Sequence, residues 1–120
     1  MSTMRFLSTL VLAVTALVAG APGKHADAAD PVTITLTIKD HQFSPANVTV
    51  PAGQRFRIQV TNQDSTPEEF ESHDLKVEKI VAAGATVILT AGPLKPGSYA
   101  FVGDYHPDIT KGTITAVEAK

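Results

Sequence analysis

Between Glu68 and Asp74 the chain reads EEFESHD, with three glutamates, a histidine and an aspartate inside seven positions. Carboxylates beside an imidazole are hard-oxygen and nitrogen donors, the set that suits Cu(II), iron and other divalent ions. A second group lies in FVGDYHPDITKG, residues 101–112, where His106 stands between Asp104 and Asp108. A third histidine, His41, follows Asp40 in KDHQFSP. Other chemistries are poorly served. The chain has no cysteine, so a thiol nucleophile is excluded. No G-x-S-x-G elbow and no phosphate-cradling glycine loop is present, although a Ser/His/Asp triad stays open by residue count alone.

Side-chain alternation sorts the first group. If residues 68–73 are extended, Glu68, Phe70 and Ser72 share one face, and Glu69, Glu71 and His73 share the other. Phe70 is the natural core residue, which leaves Glu69, Glu71 and His73 on an outer face or cleft wall. Neighbouring carboxylates repel unless a cation or basic group offsets them. The same residues also suit a solvated acidic edge that discourages pairing with another chain. Likewise, His106 suits an ordinary surface turn before Pro107, and His41 a lone loop histidine.

These residues need a frame, and the chain supplies one. Met1 to Arg5 carries one positive charge, Phe6 to Gly20 is apolar, and Ala26-Asp27-Ala28 is an A-x-A pattern. This predicts a signal peptide over 1–28, cut after Ala28, and export to the periplasm. The mature segment, residues 29–120, is long enough for one domain with one modest core. Of ten basic and twelve acidic residues, Arg5, Lys24 and Asp27 lie in the leader, leaving eight against eleven, a formal charge of −3. Such a surface has no reason to seek nucleic acid; a metal ion or a cationic partner fits it better.

Val32, Ile34, Leu36 and Ile38 alternate with Thr33, Thr35, Thr37 and Lys39. Phe56, Ile58 and Val60 alternate with Arg55, Arg57 and Gln59. Val48 with Val50, Leu75 with Val77, Val87 with Leu89 and Tyr99 with Phe101 continue the habit, and Ile114 with Val117 completes the set. Turn residues recur at Pro51-Ala52-Gly53, Ala82-Ala83-Gly84, Gly92-Pro93 and Pro96-Gly97. Short strands at this spacing, with no helix-period run after residue 28, predict an all-β fold, a Greek-key β-sandwich of about seven to eight strands.

In this order the pieces resemble the cupredoxin family, from about Val32 to Val117. FSPANVTVPAGQ is similar to the family's opening F-x-P-x-x-x-x-V-x-x-G. VTNQDSTPEEF resembles the strand and loop that bring the first copper histidine, in the pattern N-x-x-x-x-P-H. LKPGSYAFVGDYHPDITKGTITA resembles the closing P-G-x-Y-x-F-x-C-x-x-H-x-x-M-x-G. The departures matter. Glu68 stands at the first histidine, Gly103 at the ligand cysteine and Ile109 near the axial methionine; His106 alone keeps its identity. Without a thiolate a blue-copper centre cannot form.

A narrower resemblance is to exported cupredoxin-like proteins that accompany bacterial iron permeases, and to the cupredoxin domain of EfeO-type iron-uptake proteins. It implies copper or iron binding through a carboxylate pair in the pattern E-[aromatic]-E, which falls on Glu69 and Glu71. The EfeO-type domain keeps a cysteine at the Gly103 position, so its detailed site does not carry over. In a cupredoxin fold the loops before Phe70 and after Phe101 meet at one end. That implies Glu69, Glu71, His73, Asp104 and His106 as the metal ligands, with the membership of His41 and Glu68 left open. The function expected is a periplasmic protein that binds Cu(II), and iron, within ferrous-iron uptake. Oxidation of Fe(II) before transfer to a membrane permease, beside a companion periplasmic iron-binding protein, is implied by the resemblance alone. Two other readings stay open: a copper-binding or buffering protein without turnover, and a structural sandwich whose acids are only a wet edge.

Overall fold

The computed structural model describes residues 30–118, so the expected signal segment, 1–28, lies outside the described residues. Within them the chain forms nine strands: β1 (Val32–Lys39), β2 (Gln42–Ser44), β3 (Asn47–Pro51), β4 (Phe56–Asn62), β5 (Glu68–Ser72), β6 (Val77–Val81), β7 (Thr86–Ala91), β8 (Gly97–Gly103) and β9 (Lys111–Val117). They make two sheets, ordered β2-β1-β4-β7 and β3-β9-β8-β5-β6. The chain passes between sheets at every connection except β1–β2, β5–β6 and β8–β9. Consequently β1 pairs parallel with β4, and β3 parallel with β9, in an otherwise antiparallel sandwich.

The alternation in the sequence sets the inner faces. Ile34, Leu36 and Ile38 of β1 and Phe56, Ile58 and Val60 of β4 are buried, facing Phe70, Phe101 and Ile114 of the opposite sheet. Phe43, Phe70 and Phe101 form the aromatic centre: Phe43 meets Phe101 edge-on at 4.8 Å, and Phe70 stacks on Phe101 at 5.3 Å. Offset and edge-to-face arrangements place the positive ring edge against a negative face, which adds to the gain from burial.

Two details differ from the strands expected. A ninth strand exists because Asp40 and His41 make a two-residue turn, folding β2 back on β1 with Lys39 opposite Gln42. Leu75 is not in a strand: it sits buried in the turn between β5 and β6, its N–H donating to Ser72 Oγ at 3.0 Å. Its apolar side chain fills the core from a loop, which alternation alone does not distinguish from a strand.

Polar contacts then fix the end of the sandwich that carries the candidate residues. Asn62, fully buried at the end of β4, donates through Nδ2 to the carbonyls of Thr66 (2.8 Å) and Val81 (3.1 Å). Its Oδ1 accepts the Asp64 N–H at 2.9 Å, and Gln63 N–H donates to the Ile38 carbonyl at 2.8 Å. The β4–β5 loop is thereby tied to both sheets. On the other side of β5, Ser72 Oγ donates to the Ala100 carbonyl at 2.6 Å and Asp74 Oδ2 accepts the Ala100 N–H at 3.0 Å. Asp74 is a clasp between the β5–β6 turn and β8.

Phe70→Ala should remove a fully buried ring that packs against both Phe43 and Phe101. A loss of about 3–5 kcal/mol is expected from burial and cavity formation together, read as a lower urea midpoint at unchanged slope. A loss under 1 kcal/mol would mean that the centre is not tightly packed.

Candidate metal site

The register of β5 decides which acids face inward. Glu68, Phe70 and Ser72 point into the sandwich, and Glu68 is only 2% exposed. A buried carboxyl must find partners, because removing it from water without them is strongly unfavourable. Glu68 finds three. Its Oε1 accepts the N–H groups of Glu69 (2.9 Å) and Tyr105 (2.8 Å), and its Oε2 lies 2.7 Å from Nδ1 of His106.

His106 is set by the loop between β8 and β9. Its N–H donates to the Gly103 carbonyl at 2.9 Å, and its own carbonyl accepts from Ile109 (3.1 Å) and Thr110 (2.9 Å). This folds residues 104–110 over the ends of β5 and β1. The ring of His41 stacks on that of His106, with centroids 4.0 Å apart. One ligand atom from each of His41, Glu68 and His106 falls within 4.8 Å of the others.

Gly103 makes room for this arrangement. A Cβ built at Gly103 would lie 2.5 Å from Thr110 Cγ2 and 2.7 Å from Glu68 Cδ. The space beside the backbone at this position is filled by the Thr110 methyl and the Glu68 side chain. The thiolate that the cupredoxin resemblance would require here is therefore excluded twice, by residue type and by volume.

The second group lies on the opposite face of the same strand. Glu69, Glu71 and Asp104 each bring a carboxylate oxygen within 4.8 Å of the others, and Asp104 N–H donates to the Glu69 carbonyl at 2.7 Å. His73 extends into solvent, 90% exposed, with Nε2 3.4 Å from Glu71 Oε2. Partial burial, then the charges of Glu78, Asp104 and Glu71, hold the Glu69 carboxyl above its ordinary range. Burial followed by Asp104 does the same to Glu71, with His73 working against it.

Of the five residues expected as ligands, the structure brings Glu69, Glu71 and Asp104 together, with His73 at their margin. His106 lies in the other group, with Glu68 and His41. Consecutive residues of a strand face opposite ways, so Glu68 and Glu69 serve different groups. Two signals in the sequence pointed to the inward set. A glutamate in phase with Phe70 must be buried and needs a partner. An Asp-His pair between two extended runs occupies the place where Asn-Gly usually makes a two-residue hairpin. Asp40 and His41 do take left-handed conformations, φ 52° and 60°, a state that disfavours a side-chain-bearing residue by roughly 1–2 kcal/mol. Asp108 lies exposed further round the loop, beside Pro107 and Ile109.

Comparison with known proteins agrees with this fold. A family model described as "Cupredoxin-like domain" matches residues 9–116. The chain belongs to that family. An uncharacterised protein of Rickettsia prowazekii (strain Madrid E) is 47% identical over 81 residues, which cover 68% of this chain and 65% of the relative, so the chain spans about two-thirds of that protein's length. Among solved structures, the metal-binding domain of the Cu(I)-exporting P-type ATPase CopA of Streptococcus pneumoniae D39 superposes with a TM-score of 0.65 at 16% identity, covering 72% of this chain and 85% of that one. Auracyanin A, a blue copper protein of Chloroflexus aurantiacus, gives 0.64 at 17% identity, covering 73% and 100%. Identities this low speak to the fold, which this chain shares with copper-binding proteins.

Two outcomes test the packing and the charges. Gly103→Ala should lower stability by about 1–3 kcal/mol, the usual penalty for overpacking, measured by urea denaturation; a neutral result would show that the Glu68 side chain moves freely. For the outer face, raised carboxyl values mean that the folded protein holds protons more tightly than the unfolded chain. Stability contributed by Glu69 and Glu71 should then rise as pH falls from neutral through their raised values, and fall as pH climbs. Thermal melts in a pH series should show that Glu71→Gln raises the pH 7 melting temperature and flattens this rise. A lower melting temperature for Glu71→Gln at pH 7 would contradict the repulsion.

Proposed function

We propose that this chain is a periplasmic, metal-binding cupredoxin-like protein that binds Cu(II) at its His41–Glu68–His106 end and takes part in ferrous-iron uptake. The observation that carries the reading is the convergence of His41, Glu68 and His106, each bringing one ligand atom within 4.8 Å of the others, with His106 Nδ1 2.7 Å from Glu68 Oε2. Two ligands at right angles, each about 2.0–2.1 Å from a first-row divalent ion, lie about 2.9 Å apart. The pair thus already stands near the spacing of adjacent ligands. Two imidazoles and one carboxyl suit tetragonal Cu(II), whereas a thiolate centre finds neither a sulfur nor the volume for one. The two backbone N–H groups on Oε1 hold the carboxyl in place and leave Oε2 for the ion. Imidazole ligands must be neutral to hold an ion, so copper binding would compete with protons.

Cu(II) held there would take one electron from Fe(II), giving Fe(III) and Cu(I), and dioxygen would reoxidise the copper for a further turn. Iron is the substrate in this reading, and Glu69, Glu71 and Asp104 are the oxygen donors for it, on the outer face of β5 where solvent has access. Oxygen-rich surroundings favour Fe(III) over Fe(II), which directs the oxidation before transfer to a membrane permease. Support for the iron part is the carboxylate group together with the likeness to proteins that accompany iron permeases.

Titration of the purified protein with Cu(II), followed by electron paramagnetic resonance and visible absorption, tests the copper part. A tetragonal spectrum without an intense thiolate band is expected, and His106→Ala should weaken binding most among single changes. Full copper affinity in His106→Ala would place the site elsewhere. Disappearance of Fe(II) under air, compared between copper-loaded and copper-free protein, tests the iron part. Equal rates would leave a copper-buffering role without turnover.

A further inference from the structure

We infer that Asp64 is a positioning residue that holds the β1–β2 turn so that His41 is presented as a copper ligand. The inference rests on the reading of His41, Glu68 and His106 as a copper site.

A two-residue turn that only reverses the chain usually carries Asn or Asp at its first left-handed position and glycine at its second, so His41 is the residue out of place here. Here Asp40 and His41 occupy both such positions. Asp64, from the β4–β5 loop, satisfies the turn: Oδ1 accepts the Asp40 N–H at 2.6 Å and Oδ2 the His41 N–H at 2.9 Å. The same Oδ2 lies 3.6 Å from His41 Nδ1. The carboxylate thus borders the histidine at its backbone and along one edge of its ring, the place that outer carboxylates take beside ligating histidines.

The rest of the histidine is fixed as well. Thr110 Oγ1 donates to the His41 carbonyl at 2.5 Å, and the ring is stacked on His106. Asp64 is itself held by buried Asn62, through the bond to its N–H. A connected line of contacts therefore runs from the core through Asn62, Asp64 and His41 to His106. A strained turn held at its backbone and its ring is built to aim a side chain.

The test is a copper titration of the purified protein with electron paramagnetic resonance, on wild type and on Asp64→Ala, Asp64→Asn, His41→Gly and the Asp64→Ala/His41→Gly pair. Wild type should show two nitrogen ligands. Asp64→Ala should show one fewer and bind Cu(II) about 10–100-fold more weakly, the usual effect of losing an outer partner. Asp64→Asn, which keeps an acceptor for the turn, should recover part of the loss. With glycine at position 41, Asp64→Ala should change affinity no further. An Asp64 that merely stabilises the hairpin would leave the nitrogen count intact and cost the same in both backgrounds, and that result overturns the inference. Should Asp64→Ala not fold, retention of wild-type affinity and both nitrogens in Asp64→Asn and in His41→Gly overturns it equally. Absence of any His106-dependent copper signal in wild type would remove the site itself, and the inference with it.

Discussion

A single buried carboxyl organises this end of the molecule. Glu68 touches its own strand, the loop after β8 and the imidazole of His106, and together these contacts satisfy a carboxyl that burial would otherwise leave without water. The loop from Asp104 to Thr110 takes its path from that contact set, because Tyr105 N–H and the His106 ring both point at the same side chain. The β1–β2 turn then leans on the loop through Thr110 and the stacked rings. Remove the carboxyl and two part-buried backbone donors lose their partner, and the His106 ring loses the group that faces its Nδ1.

Alternation made the frame legible. The period-two runs at Val32–Ile38 and Phe56–Val60 marked the strands whose inner faces form the core, and the turn residues between runs marked the reversals. What alternation could not give was tertiary address. It placed Glu69 and Glu71 together on one face, which the structure has, and it placed Glu68 on the buried side. It could not say that the buried side of β5 meets the His106 loop while the exposed side meets Asp104. Both loops converge, but they converge on a strand with two faces.

His41 was hidden for a different reason. Its neighbours in sequence are ordinary for a loop, and its importance comes from Asp64 and Thr110, far along the chain, which meet it only after β1 has paired parallel with β4. Parallel pairing carries no local signature comparable to a hairpin, because the partner strands are joined through another sheet. The pair Asp40-His41 did carry a backbone hint, but only its left-handed geometry tells what that hint means.

The space beside Gly103 has a bearing on which neighbouring sequences this fold can reach. Gly103 is hemmed in from two sides: the Thr110 methyl and the Glu68 side chain together leave no room for a Cβ there. A cysteine restored at 103 meets a filled volume, and a histidine restored at 68 abandons two backbone donors while 103 is still bare. Room for a thiolate at 103 therefore requires changes around Thr110 as well as at Glu68. The chain and a blue-copper relative can share a fold and yet be separated by a valley that no single substitution crosses.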